Sequence, residues 1–154
     1  PMVRADGTYP TVPLRQEAIT VAVVQTRVQG VNGANPGPDI KRNLDYFLEC
    51  IDIAQGYGGR SDLLLFHEFP ITGFSEWTKD QHYALSLEVP APEVQAVAAK
   101  AKQYNCYIVF GTYAKDPVNW PGHILHLMVM AKPDGSPDVH WKQRNVRGMF
   151  PGSE

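Results

Sequence analysis

The chain has 154 residues, of which 44% are hydrophobic, and its formal net charge is −2 at neutral pH. This length fits one domain, and the apolar content is too high for a disordered chain. The charge balance gives no support for a nucleic-acid-binding surface, and the apolar runs are too short to span a membrane. Since no secretory leader opens the sequence and the two cysteines lack metal-type spacing, a reduced, cytoplasmic protein is predicted.

The first half of the chain predicts a strand, a helix and a second strand. The β-branched run "AITVAVVQ" (18–25) is typical of a buried strand. Turn formers fill 30–39, after which apolar residues recur on one face of a helix that Asp39 can cap and that "GYGG" (56–59) ends. The unbroken apolar run in "DLLLFHE" (62–68) is typical of a strand that is covered on both faces.

The second half of the chain predicts one further helix and three strands. Apolar spacing and an early proline predict a helix over 92–104, and "CYIVFGTY" (106–113) predicts a third strand. "HILHLMVMA" (123–131), the turn sequence "PDGS" (133–136) and "DVHWKQ" (within 137–143) together predict a β-hairpin. The order β-α-β-α-β-β-β indicates an α/β sheet with helices on its faces, followed by antiparallel strands.

Two segments fall outside these elements. Residues 1–17 contain prolines and show no periodicity, which predicts an extended N-terminal arm. Residues 69–77 predict an irregular loop after the second strand. No repeat or internal linker divides residues 18–154, which are therefore expected to belong to one domain.

Two charged residues stand where predicted strands end: Glu68 after the second strand and Lys142 at the close of the hairpin. In open α/β sheets, ligands bind beyond the carboxyl ends of the strands. A carboxylate and an ammonium at that edge could act as a general base and an oxyanion stabiliser. The alternative is an ordinary ion pair, or two solvated charges at strand ends, and spacing alone favours that alternative.

Three sequence motifs change this balance. In "LLLFHEFPITGF" (63–74) an apolar strand delivers Glu68 and a Thr-Gly-aromatic turn follows. "YIVFGTY" is a second strand with a glycine at Gly111, and in "MVMAKPDGSPDVHWKQ" (128–143) a Pro-Asp-Gly turn leads to Lys142. In this order the motifs resemble the glutamate motif, the following strand and the lysine hairpin of the nitrilase superfamily, the carbon–nitrogen hydrolases.

The resemblance extends over nearly the whole chain from about residue 18 and implies both fold and chemistry. The implied fold is an α/β structure, the α-β-β-α sandwich of the family, of which the chain is expected to supply roughly the first half. The implied activity is hydrolysis of non-peptide carbon–nitrogen bonds, in amides or nitriles, by a Glu-Lys-Cys triad. Glu68 would be the general base and Lys142 the oxyanion stabiliser, and neither a metal ion nor an organic cofactor is required.

The nucleophilic cysteine of the triad has no counterpart in the sequence. Cys50 and Cys106 both precede Lys142, and each is expected to be a packing residue. The resemblance therefore implies that the cysteine comes from a complementary chain or from sequence outside these residues, that a larger homo- or hetero-oligomer forms, and that the substrate is a small-molecule amide. A second departure is Arg147 in "VRGMFPG" (146–152), where some amidases of the family carry a second glutamate.

The remaining candidate residues are aromatic residues and histidines. Tyr113 and Trp77 are candidates for lining a substrate pocket, although packing is the commoner role of such residues. His67 is expected to make a structural hydrogen bond, and the spacing of His123 and His126 on a strand does not suit a joint metal site. The alternative function is a non-catalytic scaffold or binding subunit that keeps the same fold.

Overall fold

The computed structural model describes residues 5–7 and 17–143, and within them three helices and a six-stranded sheet form. In chain order the elements are β1 (Val21–Val24), α1 (Pro36–Tyr57), β2 (Leu63–Phe66), α2 (Lys79–Leu85), β3 (Leu87–Glu88), α3 (Pro92–Tyr104), β4 (Tyr107–Asp116), β5 (Trp120–Ala131) and β6 (Pro137–Trp141). Every predicted strand and helix is present, and α3 has the predicted limits. Most of the predicted N-terminal arm, and Arg147, lie outside the described residues.

Helix α2 and the two-residue strand β3 were not predicted from the sequence. Helix α2 is short, and its polar sequence shows no long apolar period that would reveal it. Its start signal is present in the sequence, because Thr78 and Gln81 form a capping box in which each side chain accepts a backbone N–H of the other residue. This local device stabilises a helix that hydrophobic periodicity alone does not indicate.

The prediction that Asp39 caps α1 is wrong. The helix begins earlier, at Pro36, since proline is favoured in the first turn of a helix, and Asn35 is the residue that precedes it. Asp39 lies inside the first turn, where its carboxylate accepts the backbone N–H of Asn32 at 2.8 Å and pairs with Arg42. Its role is to fasten the preceding loop to the helix.

The strand order in the sheet is β1-β2-β4-β5-β6, and β3 pairs in parallel with the end of β4, Leu87 opposite Ala114. Strands β1, β2 and β4 are mutually parallel neighbours, whereas β4, β5 and β6 pair in antiparallel fashion. This arrangement confirms the predicted parallel α/β part and its antiparallel extension. Because β6 is antiparallel to β5, it runs in the same direction as β2 and β4, so these three strands end at the same edge of the sheet.

Helices α1 and α3 cover one face of the sheet and enclose the core. The ring of Phe47 lies edge-on to Phe66 at 4.7 Å and to Phe110 at 5.2 Å between centroids, which links α1 to β2 and β4. Fully buried side chains on the two helices and on this face of the sheet include Ile51, Leu64, Val94, Val97, Ala101, Ile108 and Val129. Each large side chain of this kind contributes on the order of 2 kcal/mol to folding by leaving water.

The opposite face of the sheet is only partly covered by the described residues. Val21 and Val23 in β1 are 45% and 77% exposed, and Met128 and Met130 in β5 are also exposed. The prediction of a buried β1, and of a β2 covered on both faces, is therefore wrong for this chain: the helices cover only one side. Strand pairing aligns Val23 of β1 with Leu65 of β2, Leu65 with Val109 of β4, and Val109 with Met130 of β5. With their neighbours Val21, Leu63 and Met128, these side chains form one apolar surface, which we call the open face.

Strand β4 approaches the end of β2 more closely than an ordinary side chain allows. A Cβ atom at Gly111 would lie 2.4 Å from the carbonyl oxygen and 2.8 Å from the Cα atom of Glu68. The Gly111 N–H instead donates to the carbonyl oxygen of His67 at 3.3 Å, which extends the pairing of β2 and β4 beyond Phe66. Only glycine, which has no Cβ atom, fits at position 111. The close approach of the two backbones fixes the point at which the Glu68 side chain leaves the sheet.

The substitution Gly111→Ala tests this contact. We expect it to lower the free energy of unfolding by about 1–3 kcal/mol, because the new methyl group must displace backbone. The matched control is Gly56→Ala in α1, where a Cβ atom meets nothing within 4 Å and alanine gains up to about 1 kcal/mol through helix propensity. Urea unfolding of both variants measures the difference, and a Gly111→Ala protein as stable as the parent would contradict the predicted clash.

Candidate functional site

The structure brings Glu68 and Lys142 together at the edge where β2 and β6 end. Glu68 follows β2, Lys142 follows β6 directly, and Lys142 Nζ lies 3.5 Å from Glu68 Oε1. The Lys142 backbone N–H donates to the carbonyl oxygen of His126 at 2.9 Å, so strand pairing continues as far as the lysine. Both side chains are partly exposed, as groups that meet a substrate must be. The carboxylate and the ammonium form one small charged cluster.

A third residue of this cluster, His126, was not predicted from the sequence. Its Nε2 lies 3.0 Å from Glu68 Oε1, and its side chain is only 13% exposed. The sequence contained a usable signal: the Pro-Asp-Gly turn sets the register of the β5–β6 hairpin, and that register places His126 opposite Lys142. His123, the other histidine considered on this strand, is exposed and bonds the Pro121 carbonyl oxygen instead.

Burial lowers the pKa of His126, and the positive charge of Lys142 lowers it further, while the Glu68 charge acts in the opposite direction. His126 is therefore neutral near pH 7. The cluster consists of one carboxylate, one ammonium and one neutral imidazole. An imidazole that is neutral can still donate one hydrogen bond, from whichever ring nitrogen holds the proton.

Aromatic rings pack beneath the charged cluster. Tyr113, one of the two predicted pocket residues, is buried, stacks on Phe69 at 4.4 Å between centroids and lies 5.5 Å from the His126 ring. Burial, with the nearby Glu68 charge, raises the pKa of Tyr113 to about 12, so its hydroxyl keeps its proton. The structure thus places Tyr113 beside the cluster, and its part in substrate binding stays a prediction.

Trp77, the second predicted pocket residue, contacts the loop at Val31 and the ring of Tyr113. Its indole N–H donates to the carbonyl oxygen of Val31 at 2.8 Å, and its ring meets the Tyr113 ring edge-on at 6.4 Å. This hydrogen bond ties two loops together. A structural role is therefore visible for Trp77, and a role in binding a substrate stays a prediction.

The loop after Glu68 is held at several points. His67 bonds the Thr26 hydroxyl through Nε2 at 2.7 Å and accepts the Phe69 backbone N–H at Nδ1, which makes it the structural histidine that the sequence predicted. Gly73 has φ of +66°, and a Cβ atom there would lie 2.0 Å from the Gln29 carbonyl oxygen, so the turn requires glycine. Glu68 consequently projects from a backbone that is fixed on both sides.

Neither cysteine of the chain lies at this edge of the sheet. Cys50 is buried on α1, and Cys106 is buried just before β4 begins, at the edge opposite to that of Glu68. Burial raises the pKa of each thiol, which keeps both protonated and poorly nucleophilic. Both are packing residues, as predicted.

Two searches of residues 5–7 and 17–143 bear on other functions. No group of three or more histidine, cysteine, aspartate or glutamate side chains is arranged to hold a metal ion there. None of the helices in this part of the chain has the length and apolar character needed to cross a membrane.

One part of the pH dependence of stability follows from His82, which is fully buried against Tyr113. Burial, with a smaller effect of His126, lowers the pKa of His82 from 6.5 to about 4. The unfolded chain therefore binds this proton more tightly, and stability that is complete above pH 6.5 falls as the pH drops toward 4. The loss is on the order of 3 kcal/mol over that range.

His82→Phe, which keeps a ring against Tyr113, should lose less stability than the parent between pH 7 and pH 4.5. Urea unfolding at the two pH values measures this difference. His123→Phe removes an exposed histidine and serves as the control, since it should lose as much stability as the parent. Equal losses in the parent and His82→Phe would contradict the assigned cause.

Comparison with known proteins agrees with this architecture. The family model described as carbon-nitrogen hydrolase matches residues 20–147. A solved carbon–nitrogen hydrolase superfamily protein, XC1258 from Xanthomonas campestris, has 19% sequence identity and a TM-score of 0.64, and the match covers 84% of this chain and 42% of that one. No curated protein sequence matches the chain significantly.

Two other solved structures are similar in fold. Nit3 of Saccharomyces cerevisiae, a member of branch 10 of the nitrilase superfamily, has 23% identity and a TM-score of 0.65, with 82% of this chain and 44% of that chain covered. An N-terminal amidase has 16% identity and a TM-score of 0.66, with 84% and 29% covered. The chain thus spans less than half the length of these neighbours. It belongs to the carbon–nitrogen hydrolase family and has the mixed α/β fold of the nitrilase superfamily.

Proposed function

We propose that this chain supplies the glutamate and the lysine of a hydrolase that cleaves non-peptide carbon–nitrogen bonds in small amides, with nitriles as the second substrate class. The observation that carries the proposal is the 3.5 Å approach of Lys142 Nζ to Glu68 Oε1 at the carboxyl edge of the sheet. The N-terminal amidase among the structural neighbours supports amides ahead of nitriles.

In the proposed mechanism Glu68 takes the proton of a cysteine thiol, because only the thiolate attacks a carbonyl carbon efficiently. As the sulfur–carbon bond forms, the carbonyl oxygen becomes an oxyanion, and the Lys142 ammonium stabilises it. The carbon–nitrogen bond then breaks, the leaving nitrogen receives the proton held by Glu68, and a thioester remains. Water, deprotonated by Glu68, hydrolyses the thioester and restores the thiol.

The nucleophilic cysteine of this mechanism is proposed to come from a complementary chain or from sequence outside these residues. Cys50 and Cys106 cannot serve, since both are buried and neither lies near Glu68. Such a complement has a place to bind, because the open face exposes a row of apolar side chains that a second sheet could cover. Apolar surfaces of this extent rarely remain exposed on a soluble protein.

Substitutions of the charged pair test the enzymatic proposal in the assembled, cysteine-containing protein. Glu68→Gln removes the base with little change of shape, and Lys142→Ala removes the oxyanion stabiliser. Each should lower kcat for amide hydrolysis by about a hundredfold or more. Lys132→Ala is the control, because Lys132 lies on the same hairpin but pairs with Asp138.

Parent-like turnover in either Glu68→Gln or Lys142→Ala would contradict the role given to that residue. A parent protein without hydrolase activity toward amides and nitriles would favour the alternative, a non-catalytic scaffold or binding subunit. The alternative leaves unexplained why a carboxylate and an ammonium share one edge of the sheet.

Substitution on the open face tests the proposed complement. Val23→Glu should prevent assembly, or destabilise the assembled protein by several kcal/mol, because a carboxylate would be buried without a partner. Val118→Glu is the matched control: Val118 is 84% exposed in the β4–β5 turn, away from the open face.

Sedimentation measures assembly if the complement is a separate chain, and urea unfolding measures stability if both parts form one polypeptide. The proposed interface is expected to exceed the roughly 1,600 Å² of an ordinary specific complex. If the two glutamate variants behave alike, the open face is not the surface that the complement covers.

A further inference from the structure

The mechanism proposed above gives His126 no role, although His126 makes the shortest contact to its base. Nε2 of His126 is 3.0 Å from Glu68 Oε1, closer than the 3.5 Å of Lys142 Nζ from the same oxygen. An ionised carboxylate can only accept hydrogen bonds, so a hydrogen bond between the two groups requires the proton of the neutral imidazole on Nε2. At 3.0 Å the two atoms are within hydrogen-bonding distance, and His126 can only be the donor of such a bond.

The imidazole ring is held beside Glu68 by its aromatic neighbours and by its strand. It stacks on Phe69 at 5.1 Å between centroids and lies against Tyr113 at 5.5 Å. Its strand is fixed by the hydrogen bond from the Lys142 backbone N–H to the His126 carbonyl oxygen. A donor on such a rigid element restricts the carboxylate far more than a flexible lysine side chain can.

Four titratable or charged groups surround the ring: Glu68, Lys142, His82 and the hydroxyl of Tyr113. His82 and Tyr113 are buried and uncharged near pH 7, because burial lowers the pKa of His82 to about 4 and raises the pKa of Tyr113 to about 12. A protonated His126 would add a second cation beside Lys142. A neutral His126 donates its hydrogen bond without that added charge.

We infer that His126 is a positioning residue for Glu68: its neutral Nε2–H holds Oε1 and thereby leaves Oε2 as the oxygen that receives the thiol proton. This inference deepens the proposed function and rests on it for the catalytic part. Both polar contacts that the described residues make to the carboxylate end at Oε1. His126 itself neither accepts nor transfers a proton in the reaction.

The first part of the test measures the histidine directly and needs no enzymatic activity. ¹⁵N NMR of the ring nitrogens should show the Nε2-protonated tautomer for His126. Glu68→Gln should lower the pKa of His126, since it removes the carboxylate charge, and Lys142→Ala should raise it, since it removes a cation. An Nδ1-protonated ring, or a titration unchanged in both variants, would overturn the inference.

The second part compares two variants of His126 in the assembled protein. His126→Phe keeps a ring against Phe69 and Tyr113 but lacks the donor, and should lower kcat roughly 10- to 100-fold, as expected for loss of a hydrogen bond to a charged group. KM should change less than about threefold, because the lost interaction orients the base and does not hold the substrate. His126→Gln, whose amide nitrogen reaches a position like Nε2, should recover most of the lost rate.

His123→Phe is the control on the same strand and should hydrolyse amides at the parent rate, since His123 is exposed and its ring bonds the Pro121 carbonyl oxygen. A His126→Phe protein with parent turnover, or a His126→Gln protein as slow as His126→Phe, would overturn the positioning role. A parent that hydrolyses no amide or nitrile would overturn the proposed function, and the NMR result would then still decide how His126 holds Glu68.

Discussion

The close contact between β4 and the end of β2 is the constraint on which the site depends. Strand β4 is the only described strand with three partners, and at Gly111 its backbone occupies space that any side chain would need. The position of Glu68 is therefore set by contact between its own backbone and the backbone at Gly111. Such a contact yields much less than a contact between side chains. Pairing of β4 with β5 fixes the position of His126, and the hydrogen bond from the Lys142 backbone N–H to His126 fixes the position of Lys142 after β6.

The cluster pairs one anion, Glu68, with one cation, Lys142, and its third member, His126, is neutral. Lys142 is partly exposed, so water screens its attraction to Glu68, and the pair is not a large source of stability. An arrangement of this kind contributes little to folding, and it leaves a carboxylate and an ammonium accessible at the edge of the sheet.

The sequence predicted those parts of the fold that local patterns determine. Helix α3 follows from its apolar period and first-turn proline, and the hairpin follows from its Pro-Asp-Gly turn, which also brought Lys142 to the correct edge. Glu68 was predictable because a carboxylate directly after a buried run has no packing role. Helix α2 was missed because its seven residues are too few and too polar to show an apolar period, although a capping box marks their start.

Features that depend on contacts between distant segments could not be predicted in this way. His126 resembles any histidine on a half-polar strand until the hairpin register is combined with the parallel pairing that delivers Glu68. The exposure of Val21 and Val23 does not follow from the local pattern, since an apolar run is the same whether one layer or two will cover it; it follows only from the expectation that the chain is half of a sandwich. The role of Asp39 depended on the preceding loop folding back to it.

The different strand connections imply an order of assembly during folding. A tight turn joins β5 to β6, and hairpins of this kind close within about 1–10 μs. The parallel pairing of β2 with β4 requires a longer chain closure that includes two helices and is intrinsically slower. We expect the hairpin to bring His126 and Lys142 together first. Glu68 then joins them when β2 pairs with β4, after the two groups that contact its carboxylate are already in place.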